Sequence, residues 1–347
     1  MKRVSAFQLA ISFVGVFLGA GFVSGQELWQ FFACFGPVGF AGFLISAALF
    51  LLVDLALLQL SRKTGCASIG QLILPRDRGP GCRAIDLLQC LLLFGVLVIM
   101  IAGAAALLHD LTGLSAALCG ALFTLVVLPV ALLELRGLVT AFSVLVPVTC
   151  AAAVVLGVTI LFRQEFRFAP AVGSISVLMP NWWISGITYA AYNLFGTIAV
   201  LVPFANLIPD KQTLRRGLGL GVVFLLVLTF CMLSPMMALP ESGQAELPMA
   251  ALAVQIHPMF GTIFNLLMGL GMFAAALSSL IALLNQLGIH WPILEQKRTL
   301  FLSVFSVLGY VLSLAGFGNL VGTIYPVFGY ISIPLLCLLV RNWIRSR

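Results

Sequence analysis

The first long apolar run of the chain contains a glycine-rich stretch that reads Gly15-Val16-Phe17-Leu18-Gly19-Ala20-Gly21-Phe22-Val23-Ser24-Gly25-Gln26-Glu27. A glycine inside a helix costs roughly 1 kcal/mol of helix stability relative to alanine. A segment that only crosses lipid has no need for four of them, whereas an unwound helix offers its backbone N–H and C=O groups to a ligand. Irregular backbone at membrane depth is tolerated where it is buried in protein or lines a cavity. The stretch therefore indicates either a binding site on an interrupted helix or close helix packing through small residues.

The composition is that of a polytopic membrane protein. Of the 347 residues, 62% are hydrophobic and only 8% are charged, and the mean hydropathy is +1.16. Soluble domains do not have this balance. The eight cysteines are scattered without a Cys-x-x-Cys pair, so we interpret them as small packing residues rather than as disulfides or metal ligands.

Ten apolar runs are long enough to cross a bilayer as helices, which takes about 20 residues each. The first run follows Met1-Lys2-Arg3, but nine further runs and the lack of a clear cleavage site argue against a signal peptide. We predict an all-α protein in which residues 1–347 form one membrane domain of ten transmembrane helices. The predicted spans are residues 5–34, 38–60, 84–108, 115–134, 138–161, 183–208, 214–239, 259–287, 299–315 and 319–340.

The basic residues predict the orientation of these spans. With the N-terminus in the cytoplasm, all but two of the 18 Lys and Arg residues fall in cytoplasmic segments, and the exceptions are Arg163 and Arg167. Positive charge is concentrated on the cytoplasmic side of membrane proteins. Both termini are therefore predicted to be cytoplasmic, and the net charge of +7 needs no nucleic-acid partner to explain it.

Ten spans divide into two sets of five, and because five is odd, the second set has inverted topology. The predicted repeats are residues 5–161 and 183–340. Secondary transporters of this plan bind solutes at discontinuous helices, so helices 1 and 6 are expected to be interrupted. The sixth run brings Tyr192, Asn193 and Gly196 to mid-membrane depth, where polar groups face the bundle interior. The alternative is a single interhelical hydrogen bond from Asn193.

The eighth run contains a small polar face. Ala275, Ser278 and Ser279 are spaced i, i+3 and i+4, so they share one side of a helix. Two hydroxyls beside carbonyls freed by an unwound helix would form an oxygen site for a cation. The alternative is that each serine bonds back to its own helix.

These three motifs together resemble a known group of membrane proteins. Gly19 to Gly25 is similar to the Gly-x-Gly-[Ile/Phe] segment in the first helix of the amino acid–polyamine–organocation superfamily. With Tyr192-Asn193 and Ala275-x-x-Ser278-Ser279, the chain most resembles the YkvI-type membrane proteins, a branch related to sodium-coupled transporters with the LeuT fold.

The resemblance implies a substrate site and a sodium site. Backbone N–H groups of helix 1 would bind a substrate carboxylate, and helix 6 would close the site. Carbonyls one turn earlier, with oxygens of helix 8, would coordinate sodium. Phe22 stands where related transporters often have Asn, which argues against a second, substrate-linked sodium site. The implied substrate-binding residues are Gly19, Ala20, Gly21, Ser24, Tyr192, Asn193 and Gly196, and the implied sodium ligands are Gly15, Leu18, Ala275, Ser278 and Ser279.

Two of the acidic residues within the predicted spans are candidate functional groups. Asp54 either pairs with Arg62 near the cytoplasmic end or couples transport to protons, and Glu27 either lies beside the substrate or reaches the outer interface. The segment from Glu246 to His257 is predicted to form a short helix at the outer surface, with a plain loop as the alternative.

The sequence lacks the motifs of a membrane-embedded enzyme. It has no Gly-x-Ser-x-Gly, no His-Glu-x-x-His and no paired intramembrane aspartates, as such chemistry would require. The prediction is a secondary active transporter in the bacterial cytoplasmic membrane that moves an amino acid or related small solute, driven by sodium or protons. Apart from the coupling ion no cofactor is expected, and the predicted partners are the solute and the lipid bilayer. A non-transporting sensor or a channel on the same fold is the alternative function.

Overall fold

The structure is a computed structural model that describes residues 4–17, 20–65, 69–74, 79–133, 145–163 and 175–346. These residues are helical apart from short connections. We number the α-helices in chain order: α1 Ala6–Phe17, α2 Ala20–Ser24, α3 Gln26–Phe31, α4 Val38–Thr64, α5 Ile69–Ile73, α6 Pro80–Thr112, α7 Ala116–Leu132, α8 Leu145–Arg163, α9 Trp182–Leu201, α10 Lys211–Ala238, α11 Pro248–Ile256, α12 Pro258–His290, α13 Ile293–Gln296, α14 Arg298–Ser313 and α15 Phe317–Ser346. Short 3₁₀ segments cover Ala33–Phe35, Val202–Leu207 and Pro240–Gln244.

The apolar runs of the sequence correspond to these helices. Where the structure describes them, the predicted spans coincide with helices or, for the first, with the series α1 to α3. Residues 138–144 of the fifth predicted span lie outside the described residues. The short helix predicted between Glu246 and His257 is present as α11. Within the described residues, five helices are long and apolar enough to cross a bilayer: Val38–Thr64, Pro80–Thr112, Lys211–Ala238, Pro258–Gly288 and Phe317–Ser346. The all-α membrane architecture is therefore confirmed.

The first apolar run is interrupted at Gly25. This residue separates α2 from α3 with a φ of +83°, a left-handed conformation that glycine adopts without steric cost. A Cβ there would also lie 2.7 Å from Cγ of Met249. The hydroxyl of Ser24 donates to the carbonyl of Gly21 at 2.7 Å and accepts from the N–H of Gln26 at 3.3 Å. These bonds connect the two short helices across the break.

The sixth run remains α-helical across its polar residues. Helix α9 continues from Trp182 to Leu201 and becomes 3₁₀ at Val202, so the interruption expected in helix 6 is absent from residues 182–201. Its polar side chains are satisfied within the helix: the Asn193 amide donates to the Tyr189 carbonyl at 3.1 Å, and the Thr197 hydroxyl donates to the Leu194 carbonyl at 3.0 Å. One glycine, at a cost of about 1 kcal/mol, does not unwind a packed helix.

Helix α9 lies at the centre of the packing. The hydroxyl of Ser46 on α4 donates to the Gly186 carbonyl at 2.7 Å, and the hydroxyl of Ser185 donates to the Phe31 carbonyl at 2.6 Å. The fully buried ring of Tyr189 contacts a group of phenylalanine rings from the first two apolar runs, namely Phe31, Phe32, Phe43 and Phe50. These contacts hold the interrupted first run against α4 and α9.

The connections follow ordinary capping chemistry. The Asp210 carboxylate accepts from the N–H of Thr213 at 2.7 Å and from its hydroxyl at 3.0 Å, and it caps the start of α10. These hydrogen bonds lower the pKa of Asp210, because they stabilise the ionised form. The cap fixes the point at which the chain enters α10.

Candidate functional site

A cavity of about 180 Å³ lies beside the interrupted first run. It is bordered by the end of α1, by α2 and α3, and by α6, α9, α12 and α15. The residues that line it are Phe17, Gly21, Glu27, Leu92, Leu93, Val96, Met100, Tyr192, Asn193, Gly196, Thr197, Ala275, Ser279 and Tyr325.

Glu27 is the acidic residue of this cavity. Its side chain is only 5% exposed, and its Oε2 accepts a hydrogen bond from the Tyr192 hydroxyl at 2.6 Å. Its Oε1 occupies the space left by the missing side chain of Gly21, since a Cβ on that residue would lie 2.1 Å away. Of the two sequence interpretations, the structure places Glu27 beside the cavity and not at an outer interface.

Tyr192 and Tyr325 form a stacked pair in the wall of the cavity. Their ring centroids are 4.5 Å apart and their planes differ by 4°. Both side chains are buried. Sequence reasoning missed Tyr325, although a tyrosine beside Pro326 in the middle of the last apolar run is the kind of signal that singled out Tyr192.

Gln26 and Gln30 of α3 are two further polar residues near the cavity that the sequence analysis did not select. They meet glycines of α15: a Cβ on Gly318 would lie 2.8 Å from Nε2 of Gln26, and a Cβ on Gly322 would lie 3.2 Å from Oε1 of Gln30. Both pairs are four residues apart, so they match along one helix face. The polar face of α3 is thereby packed against the glycine face of α15.

The predicted substrate-binding residues are placed differently from one another. Gly21, Tyr192, Asn193 and Gly196 line the cavity. Ser24 instead joins α2 to α3, as described above. Ala20 is the first residue of α2, and Gly19 lies outside the described residues.

The predicted sodium ligands are only partly brought together. Ala275 and Ser279 line the cavity, next to Phe17 at the end of α1. The Ser278 hydroxyl donates to the Ala275 carbonyl at 3.1 Å, which is the local bond that the sequence left open as an alternative. Gly15 is outside the set of residues that line this cavity, and Leu18 lies outside the described residues.

Asp54 does not pair with Arg62. It is fully buried on α4, and neither carboxyl oxygen has a hydrogen-bond partner among the described residues. The Arg62 guanidinium instead donates to the Pro209 carbonyl at 3.3 Å. The pairing is wrong because Arg62, two turns later on α4, reaches the start of α10. Asp54 lies one turn after Phe50, whose ring packs against that of Phe17 with the ring centroids 4.2 Å apart.

Two larger cavities lie at opposite ends of α15. The one at its start has about 570 Å³ and is bordered by His109, Asp110 and Glu246. Glu246 accepts from the N–H of Phe317 at 3.3 Å, and burial raises its pKa, so its negative charge is lost at a higher pH than that of an exposed glutamate. The cavity at the other end also has about 570 Å³ and is bordered by four basic residues, Arg62, Lys63, Lys211 and Arg215.

The described residues contain no group of three His, Cys, Asp or Glu side chains able to hold a metal ion. The three histidines of the sequence, His109, His257 and His290, belong to different helix ends. The chemistry of the central cavity is therefore that of one carboxyl group, hydroxyls, an amide and aromatic rings.

Comparison with known proteins supports the resemblance that the sequence suggested. No family model matches the chain. It is 28% identical to the membrane protein YkvI of Bacillus subtilis (strain 168), over 96% of this chain and 95% of that protein. It is 24% identical to the protein YyaD of the same organism, over 94% of each chain. Both relatives are described as uncharacterized.

Two solved structures share the fold. MhsT, crystallised in complex with L-phenylalanine, superimposes with a TM-score of 0.64 at 15% identity, over 97% of this chain and 89% of that one. The manganese transporter of Eremococcus coleocola gives a TM-score of 0.56 at 14% identity, over 96% of this chain and 78% of that one. The chain is thus a multi-pass protein of the cytoplasmic membrane with the LeuT fold, similar over nearly its whole length to YkvI.

Proposed function

We propose that the protein is a secondary active transporter of a small organic solute, an amino acid or a related compound, that works by alternating access. The observation that carries this proposal is the cavity beside the interrupted first run, where Glu27, Tyr192, Asn193 and Ser279 converge. The LeuT fold supports it, because solutes in such transporters bind near the bilayer midplane at broken helices. L-Phenylalanine is bound to MhsT, and a solute of that class is proposed here.

The proposed membrane arrangement is ten spans in two inverted sets of five, with both termini in the cytoplasm. The distribution of charge supports it. The cavity bordered by Arg62, Lys63, Lys211 and Arg215 would face the cytoplasm, and the cavity bordered by Asp110 and Glu246 would face outward, as the positive-inside rule requires.

The orientation predicts opposite labelling of the two ends of α10. This helix of 28 residues is about 42 Å long at 1.5 Å per residue, enough to cross a bilayer. In a background without native cysteines, a membrane-impermeant maleimide is expected to label Glu241→Cys in intact cells, and Lys211→Cys only after the membrane is opened. Labelling of both positions from outside would contradict the arrangement, and the cysteine-free protein is the control.

For the coupling ion we propose sodium, bound by the Ser278 and Ser279 hydroxyls and by backbone carbonyls that include Ala275. A neutral oxygen cage suits a monovalent cation, whereas divalent hard cations recruit carboxylates. In the structure the Ser278 hydroxyl donates to the Ala275 carbonyl. Ion binding would require the Ser278 hydroxyl to rotate away from the Ala275 carbonyl, so that the hydroxyl oxygen and the carbonyl oxygen both face the ion.

The transport proposal is tested by uptake into proteoliposomes that contain the full-length protein. An inward sodium gradient is expected to drive accumulation of at least one of a panel of labelled amino acids. The double variant Ser278→Ala with Ser279→Ala is expected to raise the half-saturating sodium concentration at least tenfold, because each loss leaves the ion short of one oxygen. Ser234→Ala is the matched control, since this hydroxyl bonds to the Phe230 carbonyl of its own helix away from the cavity.

The outcomes separate the parts of the proposal. Solute binding without uptake would indicate a sensor instead of a transporter. Uptake that is equal without sodium, and unchanged in the double serine variant, would contradict the sodium site. Asp54, a buried carboxyl without a partner among the described residues, would then be the proposed proton-coupling group, and Asp54→Asn would test it.

A further inference from the structure

We infer that the transported solute carries a cationic amino group and that the Glu27 carboxylate binds it. This inference rests on the proposed function and narrows the solute class. It is argued from the contacts of Glu27, from the composition of the cavity wall and from the charge at the two ends of the molecule.

Glu27 has no positively charged partner among the described residues. Among the described residues, the hydrogen bond to Oε2 comes from the neutral Tyr192 hydroxyl, and the lining of the cavity contains neither Lys nor Arg. A buried carboxylate is costly unless it is paired and hydrogen-bonded. Oε1 of Glu27 lies next to Gly21, and both residues line the cavity. A cation bound in the cavity would supply the missing partner of the carboxylate.

The rest of the wall suits an organic ammonium group. Such a group has three N–H donors, and the carboxylate of Glu27 with the hydroxyl oxygens of Thr197 and Ser279 provides acceptors in one cavity. The aromatic rings of Tyr192 and Tyr325 add attraction, because ring faces bind organic cations. An acidic solute would bring a second negative charge to Glu27.

The size of the cavity limits the solute. A volume of about 180 Å³ admits a small amine or a small amino acid. In a small amino acid the ammonium group would pair with Glu27, and the carboxylate would lie on the side of the backbone of α2. Ethylamine and alanine therefore serve as probes.

The charges at the two ends of α15 are consistent with a solute that carries a cationic group. The cavity at the start of α15 is bordered by Asp110 and Glu246, whereas the cavity at the other end of α15 is bordered by four basic residues. Clefts of one charge sign concentrate ligands of the opposite sign. A cation would thus be attracted at the acidic entrance.

The test compares three related molecules: alanine, ethylamine, which is alanine without its carboxylate, and propionate, which is alanine without its ammonium group. Each is added to the purified full-length protein in detergent, and the shift in melting temperature gives its affinity. We expect ethylamine and alanine to stabilise the protein and propionate to have no effect. Glu27→Gln is expected to weaken ethylamine binding about thirtyfold or more, the change typical of removing one partner of a buried charge pair.

Control variants keep the result interpretable. Glu241→Gln removes an exposed carboxylate after α10 and is expected to leave the ethylamine response unchanged. Tyr192→Phe keeps the ring but removes the hydrogen bond to Glu27, and is expected to give an intermediate loss. If Glu27→Gln does not fold, the comparison of ethylamine with propionate on the unaltered protein still shows whether the site prefers a cation.

Three outcomes would overturn the inference. Stabilisation by propionate as strong as by ethylamine would refute the cationic solute but leave solute transport in place. Stabilisation by sodium over potassium that is lost in Glu27→Gln, without a response to ethylamine, would make Glu27 an ion ligand instead. No response to any of the three molecules, together with no uptake in the proteoliposome test, would contradict the proposed function as well.

Discussion

Replacement of Gly21 by leucine is expected to abolish solute binding while the protein still inserts into the membrane and folds. A Cβ at this position would lie 2.1 Å from Oε1 and 3.0 Å from Cδ of Glu27. The longer leucine side chain would fill a cavity of only about 180 Å³ and displace the carboxylate from the Tyr192 hydroxyl. Solute-dependent shifts in melting temperature, measured with alanine and ethylamine, are expected to disappear.

Two further variants make the Gly21 prediction quantitative. Gly21→Ala adds a single carbon that the end of the Glu27 side chain can avoid by moving, so we expect weakened binding of about tenfold instead of complete loss, an effect of roughly 1.4 kcal/mol. Gly219→Leu on α10 is the control, because a Cβ there meets no atom within 4 Å. Normal binding by folded Gly21→Leu would mean that this glycine serves packing alone.

Replacement of Gly186 by valine is expected to prevent normal folding. At this position α9 touches the backbone of α4, and a Cβ would lie 2.3 Å from the carbonyl oxygen of Gly42 and 3.0 Å from its carbonyl carbon. Backbone cannot move aside as a side chain can, so the two helices would have to separate and break the bond from Ser46 to the Gly186 carbonyl. We expect a loss of about 3 kcal/mol or more, the upper range for overpacked cores.

The folding prediction is checked by the melting temperature and by size-exclusion chromatography in detergent. Gly219→Val is the matched control, because the same side chain enters open space there and is expected to leave the elution profile unchanged. A Gly186→Val protein with the melting temperature of the unaltered chain would show that α4 and α9 do not pack as closely as described.

The sequence was sufficient to predict the membrane class and the helices, because both depend on local properties. Long apolar runs must form helices in lipid, where every backbone polar group needs an internal partner. The glycines from Gly15 to Gly25 correctly indicated an interrupted first run. The sixth run stays α-helical to Leu201, because the polar side chains of Asn193 and Thr197 bond to carbonyls of their own helix, which periodicity does not reveal.

Only the tertiary structure decided which polar groups meet. Glu27 and Tyr192 are 165 residues apart in the chain, and Tyr325 joins them from the last helix. A pair with Arg62 on its own helix was one of the two interpretations of Asp54, yet the fold directs Arg62 to Pro209 and leaves Asp54 in the interior. The physical reason is that lipid and protein interior are both apolar, so hydropathy identifies what crosses the membrane, whereas the faces that point inward are determined by long-range packing.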